Sequence, residues 1–313
     1  MLYNRVTSRR YRWLAGLVVL GVCLPAAGRA AVRTVDEKRP APGDGTVEVQ
    51  GISGEFHVTG GGGNEVRVHG TLDERIKLDF TTEGRRTIVH LKHPNSSRRF
   101  GSEADVKLTV EVPRGSDVEV RLVSADLEIA GVTGGVTAET VSGNIDLRDE
   151  PRRMRAQSVS GSVRIHGVSE RIEAGTVSGS LEVLPHAARA KSMPAATDLS
   201  ANSVSGSVRI DAGIYSDLEI SSVSGSVVFR GDLAPRARCE VSSHSGSVEF
   251  ELPGDASAEI EASSFSGSIE SDFPGAVEGG SRRLSKALEL TLGSGEATIE
   301  LSSFSGSVRL LKR

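Results

Sequence analysis

The chain has 313 residues, a formal net charge of −4, 4% aromatic residues and 36 glycines. Charges of both signs are mixed along it, so it lacks the basic face with which a general nucleic-acid binder neutralises phosphates. A core drawn from Val, Ile, Leu and Ala suits a thin, repetitive sheet better than a bulky globule.

Residues 1–30 read as a secretory signal. Arg5, Arg9, Arg10 and Arg12 form a basic start. The apolar run 14–24 is short for a membrane span, and small residues follow up to a cleavage point near Ala30. Cys23 sits in a loose lipobox whose preceding Val22 is a poor fit, and Arg12 stands where a twin-arginine signal wants Phe, so ordinary export is favoured. No second apolar run approaches spanning length, which predicts no transmembrane segment in the mature chain. After cleavage Cys239 alone remains, so no internal disulfide is expected.

Residues 31–45, polar and holding Pro40 and Pro42, predict a flexible linker. Residues 46–116 predict a strand-rich N-terminal part. Val47, Val49, Phe56 and Val58 alternate with polar residues, as do Val106, Leu108, Val110 and Val112.

From residue 117 to 313 a short motif recurs. It is seen as Val159-Ser160-Gly161-Ser162-Val163, and its first Ser falls at 124, 142, 160, 178, 205, 224, 245, 266 and 305. The steps are 18, 18, 18, 27, 19, 21, 21 and 39, which predicts coils of about 18–21 residues in a solenoid. The 27-residue step carries an insertion over 185–198. The 39-residue step holds either two coils, or one coil and the Gly-rich loop 274–283.

Two, four and six residues before that Ser the side chains are apolar or small, as in Met154, Ala156 and Ser158. Three and five after it they are apolar again, as in Val163 and Ile165. Two short strands with one buried face each therefore flank every Ser-Gly. A hairpin or a bent arc fits this parity. The residue just before Ser is apolar in eight of nine copies, which reads as an inward corner and favours the arc. The Gly is expected to supply positive φ. The small hydroxyl residue two before Ser, such as Ser158 or Thr176, is expected to bond its counterparts above and below.

The Ser-Gly-Ser-Val-x-Ile units and the closing Gly293-Ser294-Gly295-Glu296-Ala297-Thr298-Ile299 resemble a bacterial family of putative adhesins, a domain of unknown function built of β-solenoid repeats on exported or envelope proteins. Ile52-Ser53-Gly54-Glu55-Phe56-His57-Val58 is similar to that family's opening, and the resemblance covers residues 45–311. It implies adhesion and brings no catalytic residues.

Few positions invite chemistry. Glu219, Glu240 and Glu261, each five before the motif Ser, would stack about 4.8 Å apart as an acidic ladder, where a divalent cation could sit; a solvated, salt-screened face is the plainer reading. Ser221, Ser242, Ser263 and Ser302 form a lane of hydroxyls that could meet sugars or a mineral, and read more simply as small residues that tolerate stacking. His90 and His93 should point to opposite faces of a strand, a poor ligand geometry, and His244 reads as a packed substitute for a corner Val. No serine lies in a nucleophile elbow, and the lane four after the motif Ser alternates in sign, as Asp146, Arg164 and Glu182, which predicts charge pairing between coils.

The expectation is an all-β solenoid with a strand-rich N-terminal part continuous with it. Its role is that of an exported, non-catalytic envelope protein, an adhesin or scaffold without cofactor, whose partner is an envelope or surface ligand, protein or glycan. A carbohydrate-active β-helix enzyme and an envelope signalling accessory are the alternatives.

Overall fold

A computed structural model describes residues 32–93, 106–148, 151–167, 169–184, 197–274, 277–278 and 286–313. The signal segment and most of both insertions lie outside them. Every regular element described is a strand, and all of the strands join one continuous hydrogen-bonded array.

The repeats form a β-solenoid-like stack. Arg153–Ser160 lies parallel between Gly135–Ser142 and Arg171–Ser178, with Ser160 opposite Ser142 and Ala156 opposite both Ala138 and Ala174. Val163–His166 lies likewise between Ile145–Arg148 and Leu181–Leu184. The two strands of a motif thus pair with neighbouring coils rather than with each other, which makes the Ser-Gly an arc and not a hairpin tip. Corner bonds continue the ladder: the amides of Ile145, Val163 and Leu181 donate to the carbonyls of Ser162, Ser180 and Ser207, each at 2.9 Å.

The expected inward set is buried. Met154, Ala156, Val163, Ile165, Ile172, Leu181, Val208 and Ile210 belong to one continuous apolar core. Inside it Phe229 and Phe250 stack with centroids 4.4 Å apart, and Tyr215 meets Phe229 edge-on at 5.6 Å. Cys239 is also buried, and desolvation pushes its thiol well above the ordinary range, so it packs as a small apolar residue.

The corner residues depart from expectation. Val123, Val141, Val159, Val177, Val204, Val223, Phe265 and Phe304 are 43–49% exposed. From Val141 to His244 each strand runs unbroken through the motif Ser and bends only at the Gly that follows; at Phe265 and Phe304 it ends at Ser264 and Ser303, just before the ring. Alternation therefore holds up to the bend. With the second, fourth and sixth residues before Ser inside, the first must be outside.

The corner glycine also has another cause. Of the motif glycines only Gly54 and Gly225 have positive φ, 120° and 149°. A Cβ on Gly161 would stand 2.0 Å from the carbonyl oxygen of Gly143, and one on Gly206 would stand 1.9 Å from that of Gly179. Stacked corners touch backbone to backbone, and only hydrogen fits between them. Their hydroxyl neighbours serve the same corner. Ser158, Thr176 and Ser264 donate to the carbonyls of Gly143, Gly161 and Gly306 at 3.3, 3.2 and 3.1 Å, not to one another. Those of Thr140, Ser222, Ser243 and Ser303 find no partner among the described residues.

The coils do not stack in chain order at the C-terminal end. Ala297–Ser303 pairs with Val227–Ser245 on one side and with Ala258–Ser264 on the other. The last coil in sequence is thus wedged between its two predecessors. Lys286–Leu292, in the region of the long step, turns back antiparallel on Ala258–Ser264 and is no coil of its own.

The N-terminal part continues the stack. β1 (Val32–Pro40), β2 (Thr46–Gly61), β3 (Glu65–Asp73), β4 (Lys77–Glu83), β5 (Arg86–Lys92), β6 (Lys107–Pro113) and β7 (Asp117–Ala130) follow one another. β2 pairs parallel with β7, setting Ser53 opposite Ser124, and so forms a first coil. β5 and β6 cover its other side, and β1, β3 and β4 add antiparallel strands around them. β1 occupies most of the segment expected to be a linker. Little apolar surface holds it; nine residues pair with β3, and Lys38–Glu65 and Arg67–Asp36 bridge the two strands at 2.7 and 2.8 Å.

Asp73 closes this cap. Its carboxylate, 1% exposed, accepts from the Arg75 backbone N–H at 3.0 Å and the Arg75 Nε at 2.8 Å. Those bonds hold its pKa down to about 2, below the ordinary 3.8. A depressed acid stabilises the fold fully above its unfolded pKa and loses that contribution as pH falls through its folded one. Asp73→Asn is therefore expected to cost about 2 kcal/mol at neutral pH. The gap to wild type should close between about pH 4 and pH 2, as read by urea melts across that range.

Candidate functional site

The outward corner residues form a lane that runs the length of the stack. Strand registers set its order as Ile52, Val123, Val141, Val159, Val177, Val204, Val223, His244, Phe304 and Phe265. Ten coils at about 4.8 Å give it a length of roughly 43 Å. At its C-terminal end three rings stack face to face. His244 to Phe304 and Phe304 to Phe265 are both 4.9 Å between centroids, tilted by 4° and 7°. His244 is thus an exposed member of a stack, not a packed core residue.

Beside this lane, two residues earlier on the same face, runs a second one. It reads Gln50, Arg121, Glu139, Gln157, Gly175, Asn202, Ser221, Ser242, Ser302 and Ser263. From Arg121 and Val141 onward the two lanes line a groove of about 1170 Å³. The four serines singled out from the sequence lie in it. Ser221 and Ser242 share a hydroxyl bond of 3.2 Å. The groove's charge sits at its N-terminal end, where Arg121 meets Glu139 at 3.4 Å and Glu48 at 3.2 Å. Glu48 is buried and also bonded by Arg86 and Gln50; Arg86, ahead of the others, holds its pKa down against desolvation.

A second hollow, of about 740 Å³, adjoins that end. It shares Arg121 and contains Ile52, Val123, Arg75, Lys77, His90, Lys92 and His93. His90 and His93 line the same hollow despite their odd spacing, because β5 ends at Lys92 and alternation stops there.

The acidic lane is ordered by the wedged coil. Glu219 faces Glu240, Glu240 faces Glu300, and Glu300 faces Glu261, which faces Glu289 on the returning strand. Glu240 and Glu261 are not neighbours. Among the described residues no three His, Cys, Asp or Glu side chains gather closely enough to hold a metal ion. Glu300 has two acidic neighbours and no ion pair among the described residues. Glu300→Gln should therefore stabilise the chain by about 0.5 kcal/mol, an effect that thermal melts should show shrinking in 1 M salt. The alternating lane does pair across coils, as Arg164–Glu182 at 3.1 Å and Arg309–Glu270 at 3.2 Å.

Residues 46–311 match the family described as Toastrack DUF4097. The chain belongs to that family. Toastrack DUF4097 is a domain of unknown function within the putative adhesins. A comparison with curated proteins finds no match. Among solved structures, a "putative adhesin" from Bacteroides fragilis is 13% identical, with 90% of this chain and 97% of that one covered and a TM-score of 0.38. A "putative lipid binding protein" from Parabacteroides distasonis is 12% identical, with 89% and 96% covered and a TM-score of 0.39. A "putative cell adhesion protein" from Clostridium sporogenes is 8% identical, with 90% and 100% covered and a TM-score of 0.28. Likeness this distant carries nothing about the ligand of this Toastrack chain. No helix among its described residues is long and apolar enough to cross a membrane.

Proposed function

We propose that the chain is an exported, non-catalytic envelope protein, an adhesin or structural scaffold whose binding surface is the groove along its corner lane. Cleavage near Ala30 would release it to the periplasm, the outer envelope or the exterior. The observation that carries this reading is the row of exposed Ile, Val and Phe, interrupted only by the exposed ring of His244. Lone surface hydrophobes need no explanation, but a contiguous apolar row rimmed by small polar residues marks an interaction site. The groove offers hydroxyls, amides and methyl groups, and Glu139, the carboxylate in it, is tied to Arg121. That composition supports holding a ligand rather than cleaving one.

The test places a photo-crosslinker at Val177 in intact cells, with Arg209 as an off-groove control. Adducts in the envelope fraction should form from position 177 and fall at least tenfold when Val159, Val204 and Val223 are changed to Lys. Retention of the uncleaved chain in the cytosol, or adducts indifferent to those changes, would overturn the reading. Release of new ends from a polysaccharide panel would establish the enzyme instead.

A further inference from the structure

We propose that the ligand of this groove is a single anionic acyl lipid, its chain laid along the corner lane and its phosphate in the basic hollow at the N-terminal end. The inference rests on the groove being the binding surface, and it assigns the class of molecule held there.

Three observations converge. First, the polarity is graded along one axis. From Gln157 to Ser263 the floor lane is uncharged for seven successive coils, and the corner lane beside it is Val or an aromatic ring throughout. Charge enters only at Glu139 and Arg121, and beyond Arg121 it becomes basic. Among the described residues the hollow is lined by Arg75, Lys77, Lys92, Arg121, His90 and His93 and by no carboxylate. Arg75 and Lys92 reach it while held by Asp73 and Asp79, at 2.8 and 2.6 Å, and Lys77 has no carboxylate partner among the described residues. A ligand that satisfies both ends must be apolar over its length and anionic at one tip.

Second, the two compartments are physically continuous. Arg121 lines both, and the corner lane itself passes from one to the other, with Ile52 and Val123 in the hollow and Val141 in the groove. The lane is long enough to hold the chain. From Val141 to Phe265 it spans eight coils, about 34 Å, and one acyl chain, reaching about 15 Å, half the hydrocarbon thickness of a bilayer, would cover its N-terminal part from Val141 to about Val204.

Third, the surface suits competing ligands poorly. Coil strands here are hydrogen-bonded on both sides, so a peptide cannot add as a further strand. Both faces of Phe304 are covered, by His244 and Phe265, so a sugar ring there would meet a ring edge, not the flat face it stacks on. An acyl chain asks for neither backbone bonds nor ring faces. It needs only methyl contacts in a row, which the lane supplies.

The test uses the purified exported chain, delipidated in detergent and dialysed, with palmitoyl lysophosphatidate as the probe below its micelle concentration. Calorimetry should show one lipid per chain. Monopalmitoyl glycerol, which lacks the phosphate, should bind about tenfold more weakly, and glycerol 3-phosphate at least a hundredfold more weakly. Val177→Lys with Val204→Lys should weaken lysophosphatidate at least tenfold at an unchanged melting temperature. Lys77→Glu should weaken lysophosphatidate about tenfold and leave monopalmitoyl glycerol unaffected. Equal binding by wild type and the Val177/Val204 variant overturns the proposal. So does association that appears only with intact anionic vesicles, which would mark a membrane-docking face. A dimer that the same variant dissociates, without lipid uptake, would assign the lane to a second copy. Each of these failures leaves the crosslinking test of the groove intact, so the two readings fail separately.

Discussion

Gly206→Val is expected to cost about 3 kcal/mol, the upper end of what overpacking a well-fitted interior costs. The clash is already present at Cβ, which would lie 1.9 Å from the Gly179 carbonyl oxygen and 2.8 Å from its carbon. A backbone carbonyl that anchors the stack cannot swing aside like a side chain. Relief requires two coils to separate where Leu181 donates to the Ser207 carbonyl at 2.9 Å. Gly206→Ala should therefore cost nearly as much. Gly206→Asn separates this cause from a left-handed corner, because Asn tolerates positive φ and still carries a Cβ. It should be as damaging as Ala. Two controls bound the effect. Arg209→Gln, exposed and bonded to Asp211, and Gly62→Ala, where nothing lies within 4 Å of the added carbon, should each fall within about 0.5 kcal/mol of wild type. Chemical denaturation of the five variants reads the whole set; a mild Asn variant beside a severe Ala variant would restore the positive-φ explanation.

Ending the chain after Leu292 should remove far more than the last coil. In a stack that followed chain order, losing residues 293–313 would strip one terminal coil and leave its neighbours paired. Here Ala297–Ser303 is the only described partner joining Ala258–Ser264 to Val227–Ser245, and Val308–Lys312 similarly joins Ile269–Ser271 to Val248–Leu252. Without them, strands on both sides lose their parallel ladder at once. Solenoid stability is largely a sum of neighbour contacts, so a lost internal coil removes two interfaces where a lost end removes one. The hairpin of Ala258–Ser264 with Lys286–Leu292 cannot stand alone in water. Limited proteolysis should yield a resistant core ending near Leu252, with 253–292 digested. A resistant fragment that still includes 258–271 would refute the wedged order. The exposed edge of Val227–Ser245 should also make the truncated chain prone to associate.

Much of the candidate site was within reach of the sequence by parity alone. Counting back from Ser160 puts Ser158, Ala156 and Met154 inside, and the same count puts Val159 outside. Hydrophobicity argued the other way: eight apolar corners look like core. The arc was nonetheless the right shape, since in-register parallel pairing forms it whichever way Val159 points. The basic hollow had no comparable signal. Arg75, Lys77, His90 and Lys92 are spread over β4, β5 and the turn before them, and no spacing within one strand announces their meeting. The acidic lane was legible residue by residue but not in its order, because Glu300 enters between Glu240 and Glu261.

By itself, the sequence determined what short-range alternation and recurrence can determine. That covers the all-β class, the inward set, the bends at Ser-Gly and the stacking of like on like. Tertiary structure decided the rest. Nothing local distinguishes a coil laid at the end of the stack from one wedged inside it, because Ala297–Ser303 presents the same alternating faces to either neighbour. Nor does local sequence show that β1 finds an open edge on β3, or that a glycine chosen for a bend is needed for the carbonyl of the coil beside it. Those outcomes depend on which backbone edges are free and how closely they approach, and only the assembled stack sets both.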